Sequence, residues 1–411
     1  MSSKQVDKKS FNIDDIRNDF PFFRKNTDLV FLDTAASAQK PSSMIEAIAH
    51  TSECEYANVH RGAYTLSNMV TTKFENVRKK TAEFINAHSS KEIVFTKNAT
   101  EAINLVATSY GESFLSQKNE IIITEAEHHA NIVPWQRICK KTGAKLKIAP
   151  INDQGEIILE KYKALLSENT AVVAITHVSN VLGSIFPIKE MIQMAHNVGA
   201  KVLIDACQSV IHLDIDVVDL NCDFLVFSAH KLYGPNGIGI LYGKYNLLDQ
   251  MPPYQTGGAM VEEVTFQNAT FQPPPLKFEA GTPCIAEIIG FGATLDYLDK
   301  IDRHKALAYE NELLNYAVYG IQKLSNFKII GHTKNKLGII SFLHKTAHTA
   351  DIGYVLNNCN VAIRTGHHCA LPLIKRLGLQ STARASLGIY NNYEDIEAFL
   401  AALHKLDKLF N

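Results

Sequence analysis

Short apolar runs alternate with longer amphipathic stretches through the middle of the chain. Seven runs rich in β-branched and aromatic residues predict buried strands at 92–96, 120–124, 145–149, 171–176, 201–205, 223–227 and 238–242. Intervening stretches such as 100–109 and 189–197 have the spacing of helices that bury one face. This alternation is typical of an α/β fold, in which helices cover a mostly parallel, here seven-stranded, sheet.

The pattern changes after about residue 301, where a long helical stretch is followed by strands near 327–331 and 338–344 and a further helix. We therefore predict an N-terminal segment (1–30), a large domain (31–300) and a smaller α+β domain (301–411). The first helix, at 13–19, is expected to pack on the smaller domain. Prolines at 252–253 and 273–275 bracket a stretch predicted to be irregular, at a surface or subunit contact.

Composition narrows the class of protein. The 411 residues are 46% hydrophobic and 20% charged, as in a soluble globular protein. A formal net charge of −1 gives no electrostatic footprint for nucleic acid or an anionic membrane. No apolar run is long enough for a membrane span, and Met1–Lys9 has no apolar core behind it, unlike a signal peptide.

The seven cysteines are scattered, odd in number and without a CxxC pair, which argues against a disulfide framework and a zinc ribbon. A reducing cytoplasm fits this usage best.

An acid and a lysine each follow a predicted strand. Asp205 ends one apolar run, and Lys231 lies just after the next. Ligands bind at the carboxyl edge of open α/β sheets, where a lysine can form a Schiff base and an acid can hold a pyridinium nitrogen. The pair suggests pyridoxal 5′-phosphate (PLP). Alternatively, Lys231 is a solvated lysine and Asp205 a helix N-cap.

Other predicted strand ends deliver polar groups to the same edge. Thr100 opens a helix whose N-terminus suits a phosphate, although a plain N-cap is the alternative. The paired histidines His128 and His129 suggest a metal first, but no third ligand lies at a helical or CxxC-like spacing. One of them could instead stack on a flat cofactor, or the loop could simply hold Asn131 as the next N-cap. Asn180 and Gln208 could reach a ring oxygen, and Asn180 a substrate carboxylate. Loops from one sheet edge converge in space, so together these groups predict a site.

Two features of the smaller domain complete the candidate chemistry. Cys369 follows two histidines and lies near Arg364, a setting that favours the thiolate in an exposed, mobile loop. A buried structural cysteine and a Cys/His zinc site are the alternatives. Arg384 stands alone among apolar residues, and a bidentate arginine is a natural clamp for a carboxylate.

Six strings carry a family resemblance: Val59-His60-Arg61-Gly62, Glu127-His128-His129-Ala130-Asn131, His177-Val178-Ser179-Asn180, Ser228-Ala229-His230-Lys231, Phe278-Glu279-Ala280-Gly281-Thr282-Pro283 and Arg364-Thr365-Gly366-His367-His368-Cys369-Ala370. They span nearly the whole chain. The chain resembles the group II (SufS-type) cysteine desulfurases, which include selenocysteine lyases, within the class-V aminotransferase-like PLP family. The resemblance implies the PLP-dependent transferase fold of type I.

The resemblance also implies roles. It places PLP on Lys231, with Asp205 at the ring nitrogen and His128 stacked on the ring. The implied cofactor site contains Ala99, Thr100, His128, Asp205, Gln208, Ser228, His230 and Lys231, with Thr282 from a second subunit. Arg384, Asn180, Arg364 and His60 are the implied substrate-binding residues. Cys369, Lys231 and His128 are the implied catalytic residues, and no metal is expected.

The implied reaction converts L-cysteine to L-alanine and leaves a persulfide on Cys369. The implied partners are a second copy of the chain, a SufE- or SufU-like sulfur acceptor and a SufBCD-type scaffold for iron–sulfur cluster assembly. The alternatives are selenocysteine lyase, another class-V PLP enzyme, and a non-catalytic sulfur or metal carrier. The chain departs from the family pattern at Tyr64, Cys207 and Cys284.

Overall fold

The computed structural model describes residues 11–410, so the sequence prediction about Met1–Lys9 lies outside the described residues. In chain order the strands of this part are β1 Val30–Phe31, β2 Ile93–Thr96, β3 Glu120–Thr124, β4 Lys145–Ala149, β5 Thr170–Thr176, β6 Lys201–Asp205, β7 Phe224–Ser228, β8 Gly239–Gly243, β9 Val261–Val264, β10 Ala269–Phe271, β11 Phe327–Ile330, β12 Ile339–His344, β13 Val361–Ala362, β14 Arg364–Gly366 and β15 Thr382–Ser386.

The helices of the same residues are α1 Ile13–Asn18, α2 Pro21–Lys25, α3 Ser42–Cys54, α4 Thr65–Phe84, α5 Ala99–Leu105, α6 Gly111–Phe114, α7 Val133–Thr142, α8 Leu159–Leu165, α9 Ile188–His196, α10 Val217–Leu220, α11 Tyr245–Gln250, α12 Ile285–Asp299, α13 Arg303–Gln322, α14 Thr349–Asn357, α15 Leu371–Arg376 and α16 Tyr393–Phe410. None of them is long and apolar enough to cross a membrane.

A seven-stranded sheet in the order β2-β8-β7-β6-β5-β3-β4 forms the centre of the larger part. Only β8 runs antiparallel to its neighbours; the other pairings are parallel. Strands β6, β7 and β8 are buried almost throughout, which explains their continuous apolar runs. The predicted mostly parallel sheet is confirmed, and each predicted strand agrees with the observed one to within one residue at either end.

Two stretches differ from the sequence predictions. The helix predicted at 100–109 is regular only to Leu105, after which a wider π turn at Val106–Tyr110 leads into α6. The proline-bracketed stretch is not wholly irregular, because β9 and β10 pair as an antiparallel hairpin closed by a turn at 265–268. Valine and phenylalanine at the paired positions favour strand geometry there. Phe266 at the hairpin tip is fully exposed.

A second, antiparallel sheet in the order β11-β12-β15-β14 lies beyond α13. Helices α13, α14 and α16 pack around it and share a separate hydrophobic core with residues such as Leu313, Phe342 and Phe399. The N-terminal part joins this layer, since β1 pairs in parallel with β13 and Arg17 forms a bidentate ion pair with Asp395.

Strand β15 is tied to the segment that leads into the large sheet. Ser386 N donates to Leu32 O at 2.8 Å, and Ser386 Oγ accepts from Ala35 N at 2.9 Å. These bonds bring β15, and the parallel-running residues around Asp33, to the carboxyl edge of the central strands. The second sheet thus faces the edge at which the sequence predicts a site.

Candidate active site

A cavity of about 250 Å³ lies at the carboxyl edge of the central sheet. Its walls come from the loops that follow β2, β3, β5, β6 and β7, closed by residues of β14 and β15. The predicted site residues that line it are Ala99, Thr100, His128, Asn180, Asp205, Gln208, Ser228, His230, Lys231, Arg364 and Arg384. The structure therefore brings most of the predicted site together, although these residues lie up to almost 300 positions apart in the sequence.

Asp205 and His128 are fixed by backbone donors. Asp205 Oδ1 accepts from Cys207 N at 3.0 Å, which orients the buried carboxylate. His128 Nδ1 accepts from Ala130 N at 3.1 Å, so a neutral ring carries its proton on Nε2. Burial and the nearby Lys231 amine lower the pKa of His128, which keeps the ring neutral near pH 7. A neutral, fixed imidazole suits stacking on an aromatic cofactor.

The start of α5 offers a cradle for an anion. Ser228 Oγ accepts from Ala99 N at 2.9 Å, which brings the end of β7 against this helix end. A Cβ at Gly239 would lie 2.3 Å from the backbone carbon of Asn98, so only glycine lets β8 approach so closely. Burial lowers the pKa of His230 to about 4, and its Nδ1 lies 3.2 Å from Ser37 Oγ.

Arg384 is almost wholly buried on β15. Its Nη1 donates to Asn180 O at 2.9 Å, and its Nη2 forms an ion pair with Asp33 Oδ1 at 3.0 Å. Burial lowers the pKa of the guanidinium, and the attraction of Asp33 opposes that effect. Within residues 11–410, Arg384 Nε and Asn180 Oδ1 are buried without a hydrogen-bond partner. Buried polar atoms of this kind indicate that a polar ligand completes the site.

The Cys369 loop differs from its sequence prediction. His367 is exposed, but His368 and Ala370 are buried and Cys369 is half-buried, so the loop is not simply an exposed one. His368 Nε2 lies 2.9 Å from Thr382 Oγ1, and burial lowers its pKa to about 3. A neutral His368 adds no positive charge beside the thiol, in contrast to the expectation that both histidines favour the thiolate. The cation at the thiol is Arg364, whose Nη2 lies 3.5 Å from Cys369 Sγ.

Backbone strain also marks this loop. His368 and Cys369 have φ values of 51° and 56°, in the left-handed region that residues with a Cβ rarely occupy. Each such residue costs about 1–3 kcal/mol and persists only when its surroundings hold it. Here Asn180 Nδ2 donates to His368 O, and His129 N donates to Cys369 O, each at 2.7 Å. The loop is thus held by the edge of the central sheet.

Three predicted site residues do not line the main cavity: Cys369, whose thiol lies beside Arg364, and His60 and Thr282. His60 and Thr282 line a separate cavity of about 180 Å³ with Arg61 and Gly281. His60 Nε2 lies 3.5 Å from Glu75 Oε1 rather than near Arg384. Within one chain, these two residues are therefore not part of the Lys231 site.

The residues that depart from the family pattern lie in different places. Cys207 is buried and lines the main cavity, and burial raises the pKa of its thiol far above the usual range. Cys284 and Tyr64 are exposed, and Cys284 lies beside Thr282 in a third cavity. Among residues 11–410, no group of three His, Cys, Asp or Glu side chains is placed to hold a metal ion.

Sequence reasoning missed two charged residues of the site. Asp33 holds Arg384, and Glu127 lies fully buried below His128, where it accepts from Thr124 Oγ1, Asn131 Nδ2 and Thr176 N. Burial raises the pKa of Glu127 to about 7. Asp33 follows the apolar run 30–32, so the strand-end signal that revealed Asp205 could have found it.

A model of the class-V aminotransferase family matches residues 30–399. The chain belongs to this family. The predicted cofactor, PLP, is confirmed, because class-V aminotransferases are PLP-dependent. The prediction of a PLP-dependent transferase fold is confirmed as well.

Three class-V relatives illustrate the similarity. The chain is 46% identical to a cysteine desulfurase of Shigella flexneri over 404 residues, which are 97% of this chain and 99% of that one. It is 45% identical to a cysteine desulfurase of Synechococcus elongatus over 96% of this chain, but it spans only 64% of that relative's length. The crystal structure of the cysteine desulfurase CsdA from Escherichia coli superposes with a TM-score of 0.92 at 36% identity, covering 98% of this chain and all of that one.

Proposed function

We propose that this class-V enzyme is a cysteine desulfurase, which converts L-cysteine to L-alanine and keeps the sulfur as a persulfide on Cys369. The observation that carries the proposal is the position of the Cys369 thiol, 3.5 Å from Arg364, which itself lines the cavity of Lys231 and Asp205. An aminotransferase would need no cysteine at this point. A non-catalytic sulfur carrier would need neither the lysine nor the buried acid.

The cavity fits PLP, and each chemical part of the cofactor has a partner. Lys231 would hold the aldehyde carbon, Asp205 the ring nitrogen and Gln208 the ring hydroxyl, while His128 would cover the ring. Ala99, Thr100, Ser228 and His230 would bind the phosphate at the start of α5. When bound, PLP supplies an electron sink, which allows a carbon–sulfur bond of the substrate to break.

The protein groups then perform binding and transfer. Arg384 would bind the substrate carboxylate through its unpartnered Nε, braced by Asp33 and Asn180. Arg364 would hold the substrate thiol near Cys369. The Cys369 thiolate forms a bond to the substrate sulfur, the carbon–sulfur bond breaks, and a proton delivered to that carbon completes alanine. Lys231, which lines the same cavity, would be the group that moves protons.

We further propose that the enzyme is of the SufS type and works as a cytoplasmic homodimer. The string Arg364-Thr365-Gly366-His367-His368-Cys369-Ala370 supports the subtype. The separate cavity of His60 and Thr282 supports a dimer, because those residues would reach a neighbour's cofactor rather than their own. The persulfide would pass to a SufE- or SufU-like acceptor and on to a SufBCD-type scaffold for iron–sulfur clusters. Light scattering that finds a fully active monomer would exclude the dimer.

The test of the proposed function is the location of the sulfur. After incubation with cysteine, mass spectrometry should find one added sulfur on the peptide that contains Cys369. Cys369→Ala should keep the visible absorbance of bound PLP and still bind cysteine, because Lys231, Asp205 and Arg384 remain, but alanine release should fall by at least about a hundredfold. Cys359→Ala, which changes another half-buried cysteine, between α14 and β13, is the matched control.

Sulfur on Cys207 instead of Cys369, or normal alanine release by Cys369→Ala, would contradict the mechanism. With selenocysteine as substrate the loss in Cys369→Ala should be smaller, because a selenolate leaves more easily and needs less help.

A further inference from the structure

The second histidine of the Glu127-His128-His129 string has no role in the proposed function, yet it contacts the Cys369 loop twice. We propose that His129 is a positioning residue for Cys369, whose imidazole Nε2 accepts a hydrogen bond from Leu371 N and holds the nucleophile loop against the central sheet. The inference rests on the proposed function, since it gives Cys369 the role of nucleophile.

The two contacts enclose the cysteine. His129 N donates to Cys369 O at 2.7 Å, and Leu371 N donates to His129 Nε2 at 3.0 Å. One residue of the large part therefore bonds to the carbonyl of Cys369 and to the amide two positions later, where α15 begins. Neither contact reaches Sγ, so the thiol stays available.

This support is needed because of the loop's backbone. His368 and Cys369 are two consecutive residues with positive φ, which local sequence alone does not favour. Asn180 Nδ2 donates to His368 O and holds the first of them. The His129 contacts hold the second, and without them the loop is expected to relax toward ordinary φ values and carry Sγ away from its position.

The base that carries His129 is rigid. His129 opens a short 3₁₀ turn that ends at Asn131. Asn131 Nδ2 donates to Glu127 Oε2 at 2.8 Å, and Asn131 Oδ1 accepts from Trp135 Nε1 at 3.0 Å, all within the buried interior. Glu127 in turn accepts from Thr176 N at the end of β5. This chain of hydrogen bonds fixes the imidazole of His129 to the edge of the central sheet at which Asp205 lies.

The protonation state agrees with the geometry. An imidazole nitrogen accepts a hydrogen bond only when it carries no proton, so His129 must be neutral. Burial and the nearby His367 both lower the pKa of His129. The neutral ring then keeps its proton on Nδ1 and offers Nε2 to Leu371 N.

Two variants separate the acceptor from the bulk of the side chain. His129→Ala removes the acceptor but keeps the backbone donor to Cys369 O. His129→Gln replaces it with an amide oxygen that can reach the position of Nε2. His348→Ala is the matched control, because His348 is an exposed imidazole that also accepts from a helix-start amide, Ala350 N at 3.2 Å, but that amide belongs to α14 and not to the helix that follows Cys369.

In the holoenzyme, His129→Ala should lower kcat for alanine formation about tenfold, the effect of one lost hydrogen bond in the arrangement that reacts. The KM for cysteine should stay within about threefold, since substrate binding is unchanged. Without substrate, hydrogen exchange of the Leu371 amide should be about tenfold faster. His129→Gln should restore both quantities to within about threefold of wild type. His348→Ala should match wild type in both.

Each outcome has a distinct meaning. If wild type carries the persulfide on Cys369 while His129→Ala shows normal kcat and normal Leu371 exchange, the positioning role is wrong and the proposed function stands. If wild type carries no sulfur on Cys369, the proposed function fails. The exchange rate of the Leu371 amide in His129→Ala still shows whether the hydrogen bond from Leu371 N to His129 Nε2 exists. If His129→Gln shows the same slow turnover and fast Leu371 exchange as His129→Ala, then His129 does not act as a hydrogen-bond acceptor for Leu371 N. Should His129→Ala fail to fold, normal Leu371 exchange in His129→Gln supports the role and fast exchange overturns it.

Discussion

The two halves of the candidate site are built in different ways. In the cofactor half, Asp205 ends the buried strand β6 and Lys231 lies in the turn that follows the buried strand β7. The thiol half, with Cys369 and Arg384, comes from the short strands β14 and β15 and from a loop with positive φ values. It is connected to the first half by Asn180 and His129, which donate to its loop, and by Asp33, which accepts from Arg384. The cofactor half is therefore set by the sheet, and the thiol half by contacts across a boundary.

This difference predicts how substitutions behave. A change to Lys231 or Asp205 in the cofactor half removes the chemistry itself but leaves the fold of the small sheet intact. A change in the thiol half leaves the cofactor bound and alters a single step. Buried groups between the two halves should affect stability more than catalysis.

Lys231→Ala should have the largest effect. Without the amine, PLP cannot be fixed to the chain by borohydride, the visible absorbance of the bound cofactor should disappear, and activity should fall by at least about a thousandfold. The measurement is peptide mapping after reduction. The matched control is Lys336→Ala, which removes another half-buried lysine, outside the cavity, that donates to Gly331 O. A reducible covalent PLP adduct in Lys231→Ala would contradict the assignment.

Arg384→Lys should have the next largest effect and act on substrate binding. Lysine keeps the charge but loses the planar fork, so the KM for cysteine should rise about tenfold to a hundredfold while PLP stays bound. Arg384→Ala should show a similar or larger rise and also lower the free energy of unfolding by about 1–3 kcal/mol, because Asp33 and Asn180 O lose their buried donor. Steady-state kinetics and urea unfolding measure the two effects. An unchanged KM in both variants would show that the carboxylate binds elsewhere.

The same difference explains what the sequence could predict. The strands that carry Asp205 and Lys231 were found to within a residue, because buried parallel strands are continuous apolar runs and a polar residue at their end is conspicuous. The burial of His368 was not found, since its partner Thr382 lies on β15, further along the sequence, and its burial depends on tertiary packing. Glu127 adjoins His128 in the sequence, but only the fold shows that it is buried and bonded to Asn131 and Thr176. Asp33 follows an apolar run, but only the fold brings it to Arg384. The hairpin at 261–271 was hidden by its flanking prolines.

Glu127 should give a pH-dependent stability of intermediate size. Its pKa is raised from 4.5 to about 7, so the folded state holds this proton more tightly than the unfolded chain does. The stabilisation is fully present below the unfolded pKa near 4.5 and is lost as the pH rises toward 7. The free energy of unfolding should fall by at most about 3 kcal/mol over this window.

Glu127→Gln should remove that pH dependence, although the amide also disturbs the bonds to Asn131 and Thr176. Urea unfolding at about pH 5 and about pH 8 measures the slope, and Glu262→Gln, an exposed change, should keep the wild-type slope. Equal slopes in Glu127→Gln and wild type would assign the pH dependence to other groups.

Cys207→Ala should have the smallest effect, although this thiol lines the same cavity as Lys231. Burial and the charge of Asp205 keep it protonated, and a thiol that is not ionised does not attack the substrate sulfur. Alanine release should stay within about twofold of wild type, with the persulfide on Cys369, and the free energy of unfolding should fall by about 1 kcal/mol for the lost packing. Cys222→Ala is the matched control, since that thiol is also buried with a raised pKa but lies outside the cavity. If the persulfide on Cys369 is lost in Cys207→Ala but kept in Cys222→Ala, the sulfur passes through Cys207 in the cofactor half. The thiol chemistry would then not be confined to the thiol half.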